Sequence, residues 1–201
     1  MTKPRLKILA PGLEFLLPYV ERQLPDYDVT TDEAADCDVV TYITDDTEVD
    51  FSDRAVQAPV LVCPNIVGTG MHGLPMEMAV RINRGTYFHI KDKSAKLSTV
   101  HATDVARAVA LTLGRPGRYV VTDGTTPTYD DLAEAIAVRL GHKRIFTLKE
   151  RWARFIMSSR LVDIVTTDNV VEPREGETVD GLEPTPVTEY LRTHVYDDES
   201  L

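Results

Sequence analysis

With 201 residues the chain is long enough to bury one hydrophobic core, and its composition excludes the disordered and fibrous classes. A formal net charge of -10 repels nucleic acid and anionic membrane surfaces, so neither is expected as a partner. Cys37 and Cys63 lack a partner at metal-ligand spacing and stand in apolar runs, which makes them core thiols of a reducing compartment. His72, His142 and His194 share no metal spacing either. The start carries no apolar stretch of signal-peptide length and no run approaches a membrane span, so a cytoplasmic location is expected.

In chain order, Arg5 to Ala10 reads as a buried strand stopped by Pro11-Gly12. Leu13, Leu16, Leu17, Val20 and Leu24 form a helical stripe, with Pro18 tolerable only in a first turn. Strands are predicted over Tyr27–Thr31 and Asp38–Ile43, then a solvated acidic loop holding Asp45, Asp46, Glu48, Asp50 and Asp53. Ala58–Pro64 is a further apolar run, followed by a glycine-rich turn, Gly68–Gly73, and a helix over Leu74–Arg84 capped by Gly85. Thr86–Ile90 is strand-like, Thr103–Leu113 an amphipathic helix, Arg118–Thr122 a strand, and Tyr129–Leu140 a helix entered through Thr128. Beyond Arg144 lie a helical patch near Glu150–Ser158, a polar stretch at 172–186 and a short helix around Val187–His194. Alternating strands and helices predict an α/β domain on a mainly parallel sheet. One conflict stands out. Six residues, Asp32–Cys37, join the second and third strands, whereas a parallel crossover usually takes a dozen or more. Either that connection is a tight loop or a strand assignment is wrong.

Four segments carry a resemblance. Ser98-Thr99-Val100-His101-Ala102-Thr103-Asp104-Val105-Ala106-Arg107-Ala108 is the most telling, and Cys63-Pro64-Asn65-Ile66-Val67-Gly68-Thr69-Gly70 precedes it. Tyr119-Val120-Val121-Thr122-Asp123-Gly124 with Tyr129-Asp130-Asp131-Leu132 follows, and Leu182-Glu183-Pro184-Thr185-Pro186-Val187 with Tyr190-Leu191 ends the series. In this order they resemble the extended short-chain dehydrogenase/reductase family, the NAD-dependent epimerases and dehydratases, over about residues 58 to 195. The resemblance implies a shortened Rossmann-like sheet with flanking helices and a small C-terminal substrate-side region. It implies a single domain, with a reduced Rossmann-like part at 1–68 and a substrate-side part at 69–201. NAD or NADP would be the cofactor, touched by Gly12, Asp32 and Pro64. Asn65, Gly68, Gly70, Lys96 and His101 would face a small anionic ligand such as a nucleotide-sugar.

Two departures from the family weigh against its activity. Lys7-Ile8-Leu9-Ala10-Pro11-Gly12 resembles the first strand and first glycine of the dinucleotide fingerprint, whose glycines let backbone approach a pyrophosphate. The next two glycine positions hold Phe15 and Pro18. The catalytic tyrosine, its lysine four residues on and the helix carrying them have no room between the Asp38–Ile43 strand and Pro64. No catalytic residue is therefore assigned. Tyr87 and Lys91 copy the spacing, but in a strand they stand roughly 13 Å apart. Asp104 is expected to cap or charge its helix, and Trp152 and Phe155 to pack on the sheet. The expected function is that of a degenerate epimerase/dehydratase relative, non-catalytic, binding a nucleotide or nucleotide-sugar. The alternative is an active NAD(P)-dependent epimerase or reductase with an unusual site. Any oligomer would have to avoid the usual family interface, whose helices are missing.

Overall fold

A computed structural model of the chain describes residues 3–46, 57–70, 74–141 and 143–193. Most of the acidic loop, the second half of the Gly68–Gly73 turn, and His72, His142 and His194 lie outside these residues. In chain order the elements are β1 (Arg5–Leu9), α1 (Leu17–Gln23), β2 (Asp28–Thr30), β3 (Val39–Thr44), β4 (Pro59–Val62), β5 (Ile66–Val67) and α2 (Leu74–Asn83). There follow β6 (Phe88–Ile90), β7 (Val100–His101), α3 (Ala102–Thr112), β8 (Gly117–Val120), α4 (Tyr129–Arg139) and β9 (Phe146–Leu148). Helices α5 (Glu150–Ile156), α6 (Ser159–Thr166) and α7 (Val187–Thr193) end the series.

These elements form two compact units. The first comprises Met1–Met71, Thr99–Asp123 and Val171–Thr185. Its centre is a parallel five-stranded sheet in the order β2-β1-β3-β4-β8. In β1 the side chains alternate, with Leu6 and Ile8 buried and Arg5 exposed. Leu6 and Ile8 share a core with Val20 of α1, Leu61 of β4, and Val105 and Val109 of α3. Each such side chain contributes roughly 1.5–3 kcal/mol of burial. Helix α3 turns Ala102, Ala106 and Ala108 inward as well, and these small side chains let its backbone sit close to the sheet. Pro18 falls in the first turn of α1, where the missing N–H costs no hydrogen bond, after a short 3-10 turn at Glu14–Leu16. Cys63 follows β4, fully buried, and its N–H donates to the Thr44 carbonyl at 2.8 Å. Burial, with a smaller push from Asp45, drives its thiol pKa far up.

The conflict over the second crossover resolves without losing a strand. β2 and β3 are not neighbours; they flank β1, and both run parallel to it. Thr30 ends β2 level with Lys7, and Val39 begins β3 level with Leu6. The chain therefore steps back one residue, roughly 3.3 Å, and sideways by two strand spacings, roughly 10 Å. Residues 31–38 can span roughly 26 Å when extended, so no helix is needed. The crossover is fastened to β1 by Arg5 N–H donating to Asp38 Oδ2 (2.8 Å), Asp38 N–H to the Arg5 carbonyl (3.0 Å) and Lys7 Nζ to the Glu33 carbonyl (2.8 Å).

The polar stretch after residue 171 is irregular but anchored. Val120 N–H donates to the Glu177 carbonyl at 2.8 Å, which covers the outer edge of β8, and Arg118 pairs with the Glu177 carboxylate at 2.7 Å. Thr185 N–H donates to Asp104 Oδ2 at 2.9 Å.

The second unit comprises His72–Ser98, Gly124–Val170 and Pro186–Leu201. Helix α4 packs against α2 and α7, and buries Leu132 and Ile136 beside Val187 and Leu191. Helix α2 ends at Gly85 as expected, with Gly85 N–H donating to the Ile82 carbonyl and Thr86 N–H to that of Arg81. Strand β6 pairs in parallel with β9, a strand that the sequence did not signal. Helices α5 and α6 lean on this pair through Ala153 and Val162, which join Ile90 in a small core.

Candidate functional site

The turn that follows β1 is where the dinucleotide fingerprint would act. Gly12 stands there with φ +75°, a conformation that glycine adopts without strain, and nothing lies within 4 Å of where a Cβ would stand. Its N–H is already used. The carboxylate of Glu14 accepts it at 3.2 Å, so the chain's own anion occupies the donor on which a phosphate would rest. The ring of Phe15 replaces the second glycine, and its Cβ lies 3.5 Å from where a Cβ on Gly70 would stand. Asp32, the candidate ribose-binding acid, stands two residues beyond β2. Its side chain accepts from Ala34 N–H at 2.9 Å in a local turn that opens the crossover.

A second cluster forms around Tyr19. Pro64 is buried at the end of β4, and Asn65 takes a left-handed φ of 46°, a conformation asparagine tolerates better than most residues. The chain then enters β5, which pairs with β7 so that Val67 stands opposite His101. A Cβ on Gly68 would lie 2.7 Å from the Ala102 Cβ and 2.9 Å from Tyr19 Oη, so only glycine fits. Tyr19 Oη accepts the N–H of Thr69 at 2.6 Å, and the Tyr19 ring stands edge-on to the His101 imidazole with centroids 6.3 Å apart. His101 caps α3, its Nδ1 accepting from Thr103 N–H at 3.2 Å. An accepting Nδ1 means a neutral ring with its proton on Nε2. Asn65, Gly68, Gly70 and His101 thus gather in one place, but part of the backbone donor capacity expected of this turn is spent on Tyr19.

Asp104, expected at the helix start, is buried and holds Arg107 at 3.0 Å on one oxygen and Thr185 N–H on the other. It ties the polar stretch to α3. Thr99 Oγ1 donates to Asp123 Oδ2 at 2.8 Å, and both residues are buried.

Lys96 belongs to the second unit. Its side chain is exposed and its ammonium makes no ion pair among the described residues, while its backbone N–H donates to Asp168 at 2.7 Å. Tyr87 and Lys91 stand at opposite ends of β6, outside any helix. Burial first, then the Asp130 and Tyr129 neighbours, push the Tyr87 hydroxyl pKa up. An acid/base tyrosine needs the opposite shift, which the i+4 lysine supplies in the family. The sequence reading missed Glu14 and Tyr19, the residues that fill this region; a carboxylate two positions after a turn glycine is the one signal it offered for Glu14. Among the described residues there is no cluster of histidine, cysteine and carboxylate side chains fit for a metal.

No family model matches the chain, and no curated protein does. Solved structures match across nearly all of it. A putative epimerase from Burkholderia cenocepacia superposes with a TM-score of 0.62 at 12% identity, covering 94% of this chain and 96% of that one. A UDP-N-acetylglucosamine 4-epimerase from Methanobrevibacter ruminantium, in complex with UDP-N-acetylmuramic acid, gives 0.61 at 11%, covering 96% and 97%. The human epimerase family protein SDR39U1 (isoform 2), solved with NADPH, gives 0.58 at 10%, covering 96% and 95%. Identities this low carry the architecture and not the chemistry. The chain has the Rossmann-like α/β fold of the NAD-dependent epimerases and related short-chain dehydrogenase/reductase structures.

Proposed function

We propose that this protein is a non-catalytic relative of the NAD-dependent epimerases that does not take NAD or NADP in the usual mode. One observation carries the reading: the Gly12 N–H rests on the chain's own Glu14 carboxylate, with Phe15 in the place of the next glycine. A pyrophosphate entering there meets a negative charge and a ring where the fingerprint offers bare backbone. The chemistry points the same way. Residues 45–58, between β3 and β4, contain neither a tyrosine nor a lysine, so the acid/base pair has no counterpart in the segment where it belongs. By its resemblance to the family, the chain retains the substrate-side set Asn65, Gly68, Gly70 and His101 in the first unit. A small anionic molecule, of the nucleotide or nucleotide-sugar class, suits these groups.

Calorimetric titration of the purified protein with NADH, NADPH and a UDP-sugar tests this. Neither dinucleotide should saturate the protein at low-micromolar concentration. Glu14→Gln, which removes the competing charge, should strengthen whatever weak dinucleotide binding exists. Tight NADH binding by the wild-type chain would end the proposal. Any UDP-sugar binding should weaken in Asn65→Gly, which removes the side chain and still accepts the left-handed φ.

A further inference from the structure

We infer that the α5–α6 hairpin is a docking surface for an anionic lipid bilayer. The two helices bury small or medium side chains and expose large ones. Ala153 and Val162 are fully buried against Ile90, whereas Phe155 is 86%, Ile156 63% and Trp152 54% exposed. Trp152, Phe155 and Ile156 fall at i, i+3 and i+4, so they share one face of α5. Leu161 and Ile164, i and i+3 on α6, are exposed as well. A helix of a soluble domain turns its larger apolar side chains inward, and here the order is reversed.

Charge identifies the occupant. From residue 143 to 165 the chain carries Lys143, Arg144, Lys149, Arg151, Arg154 and Arg160 against only Glu150 and Asp163, inside a protein of net charge -10. Arg154 takes both carboxylates, at 2.9 Å and 2.8 Å, and Lys93 shares Glu150. The remaining cations make no ion pair among the described residues. Arg151 lies 5.5 Å from the Trp152 ring centroid and Arg144 5.5 Å from that of Phe146, so cations and exposed rings are interleaved. Exposed apolar side chains with arginines beside their rings are what an anionic headgroup layer accepts. The repulsion expected from the net charge acts at long range and is screened, while these cations act at contact. A second copy of the chain would set Arg151 and Arg160 against like charges. A protein partner would have to supply a pocket for Phe155, which projects almost wholly into solvent; fluid acyl chains need none. No helix among the described residues is long and apolar enough to cross a membrane, so the contact is with the surface.

The chain reports on itself, because Trp152 is its only tryptophan. The full-length protein is mixed with phosphatidylcholine vesicles, with and without phosphatidylglycerol, at physiological ionic strength, and followed by co-sedimentation and tryptophan emission. We expect co-sedimentation and a blue shift with phosphatidylglycerol only, reversed by added salt. Phe155→Ser with Ile156→Ser should abolish the blue shift. Arg151→Ala or Arg160→Ala should each weaken partitioning about fivefold. All four side chains are exposed, so unchanged circular dichroism and melting temperature establish that these variants fold. No binding to anionic vesicles, binding that the Phe155/Ile156 variant retains, or a dimer that the same variant dissociates without any vesicle binding would each overturn the inference.

Discussion

Gly68 shows how tightly the cluster around Tyr19 is drawn. A methyl group there would meet the Ala102 Cβ at 2.7 Å and Tyr19 Oη at 2.9 Å, and Ala102 opens α3, so the helix start would have to move. Gly68→Ala should therefore destabilise the protein by about 1–3 kcal/mol, the usual cost of overpacking a filled site, read as a lower urea midpoint at unchanged slope. A wild-type midpoint would mean that α3 can slide. The same contacts explain why the site was only half legible at this scale. The order of Pro64, Asn65, Gly68 and His101 along the chain marked the region. That Tyr19, some fifty positions earlier, would spend its hydroxyl on the Thr69 N–H depends on how α1 lies on the sheet, and local sequence does not encode that angle.

Helix α4 begins with a reciprocal cap. Thr128 Oγ1 accepts Asp131 N–H at 3.1 Å, and the Asp131 carboxylate accepts from the Thr128 N–H at 2.8 Å and hydroxyl at 2.7 Å. The Thr128 hydroxyl first, then its N–H, hold the Asp131 carboxyl below the usual aspartate range; slight burial opposes this and Arg192 adds a weak pull. A depressed pKa in the folded state means stability that is full above the unfolded pKa and is lost as pH falls through the folded one. Thr128→Ala should cost about 1 kcal/mol at neutral pH. It should also flatten the fall in melting temperature on acidification, because the carboxylate has then lost its hydroxyl donor and keeps only the backbone N–H. Equal acid slopes in the two proteins would place the acid sensitivity elsewhere. The sequence announced this helix through Thr128. It did not announce β9 or α6: β9 is three residues long, and its pairing with β6 is not a local property.

For the whole molecule, the alternation of strands and helices was enough to give a mainly parallel α/β fold, because period and punctuation are local. Topology was less accessible. The link between β2 and β3, six residues as read from the sequence and eight between the observed strands, looked too short until their register against β1 showed how little distance it covers. The helical patch at α5 was legible too, without the direction in which its large apolar side chains point. The expectation that Trp152 and Phe155 pack on the sheet fails, because Ala153 takes the inner position and both rings face solvent. Sequence patterns report that a face exists, and only the packing partners decide whether it is covered.

The two thiols make the first unit a clock for its own opening. Cys63 is sealed at the end of β4 with its pKa driven up, whereas Cys37 sits half-buried in the short crossover. Alkylation requires both access and a thiolate, so under native conditions Cys63 should wait for the sheet to separate. Folded domains spend only about 10⁻³–10⁻⁶ of their time open, so Cys63 should label on the order of a thousandfold or more slowly than Cys37, the rates converging in denaturant. Mass spectrometry of a timed alkylation reads both rates in one sample. Comparable rates without denaturant would mean that the Thr44–Cys63 seam parts on its own, leaving the rest of the sheet closed.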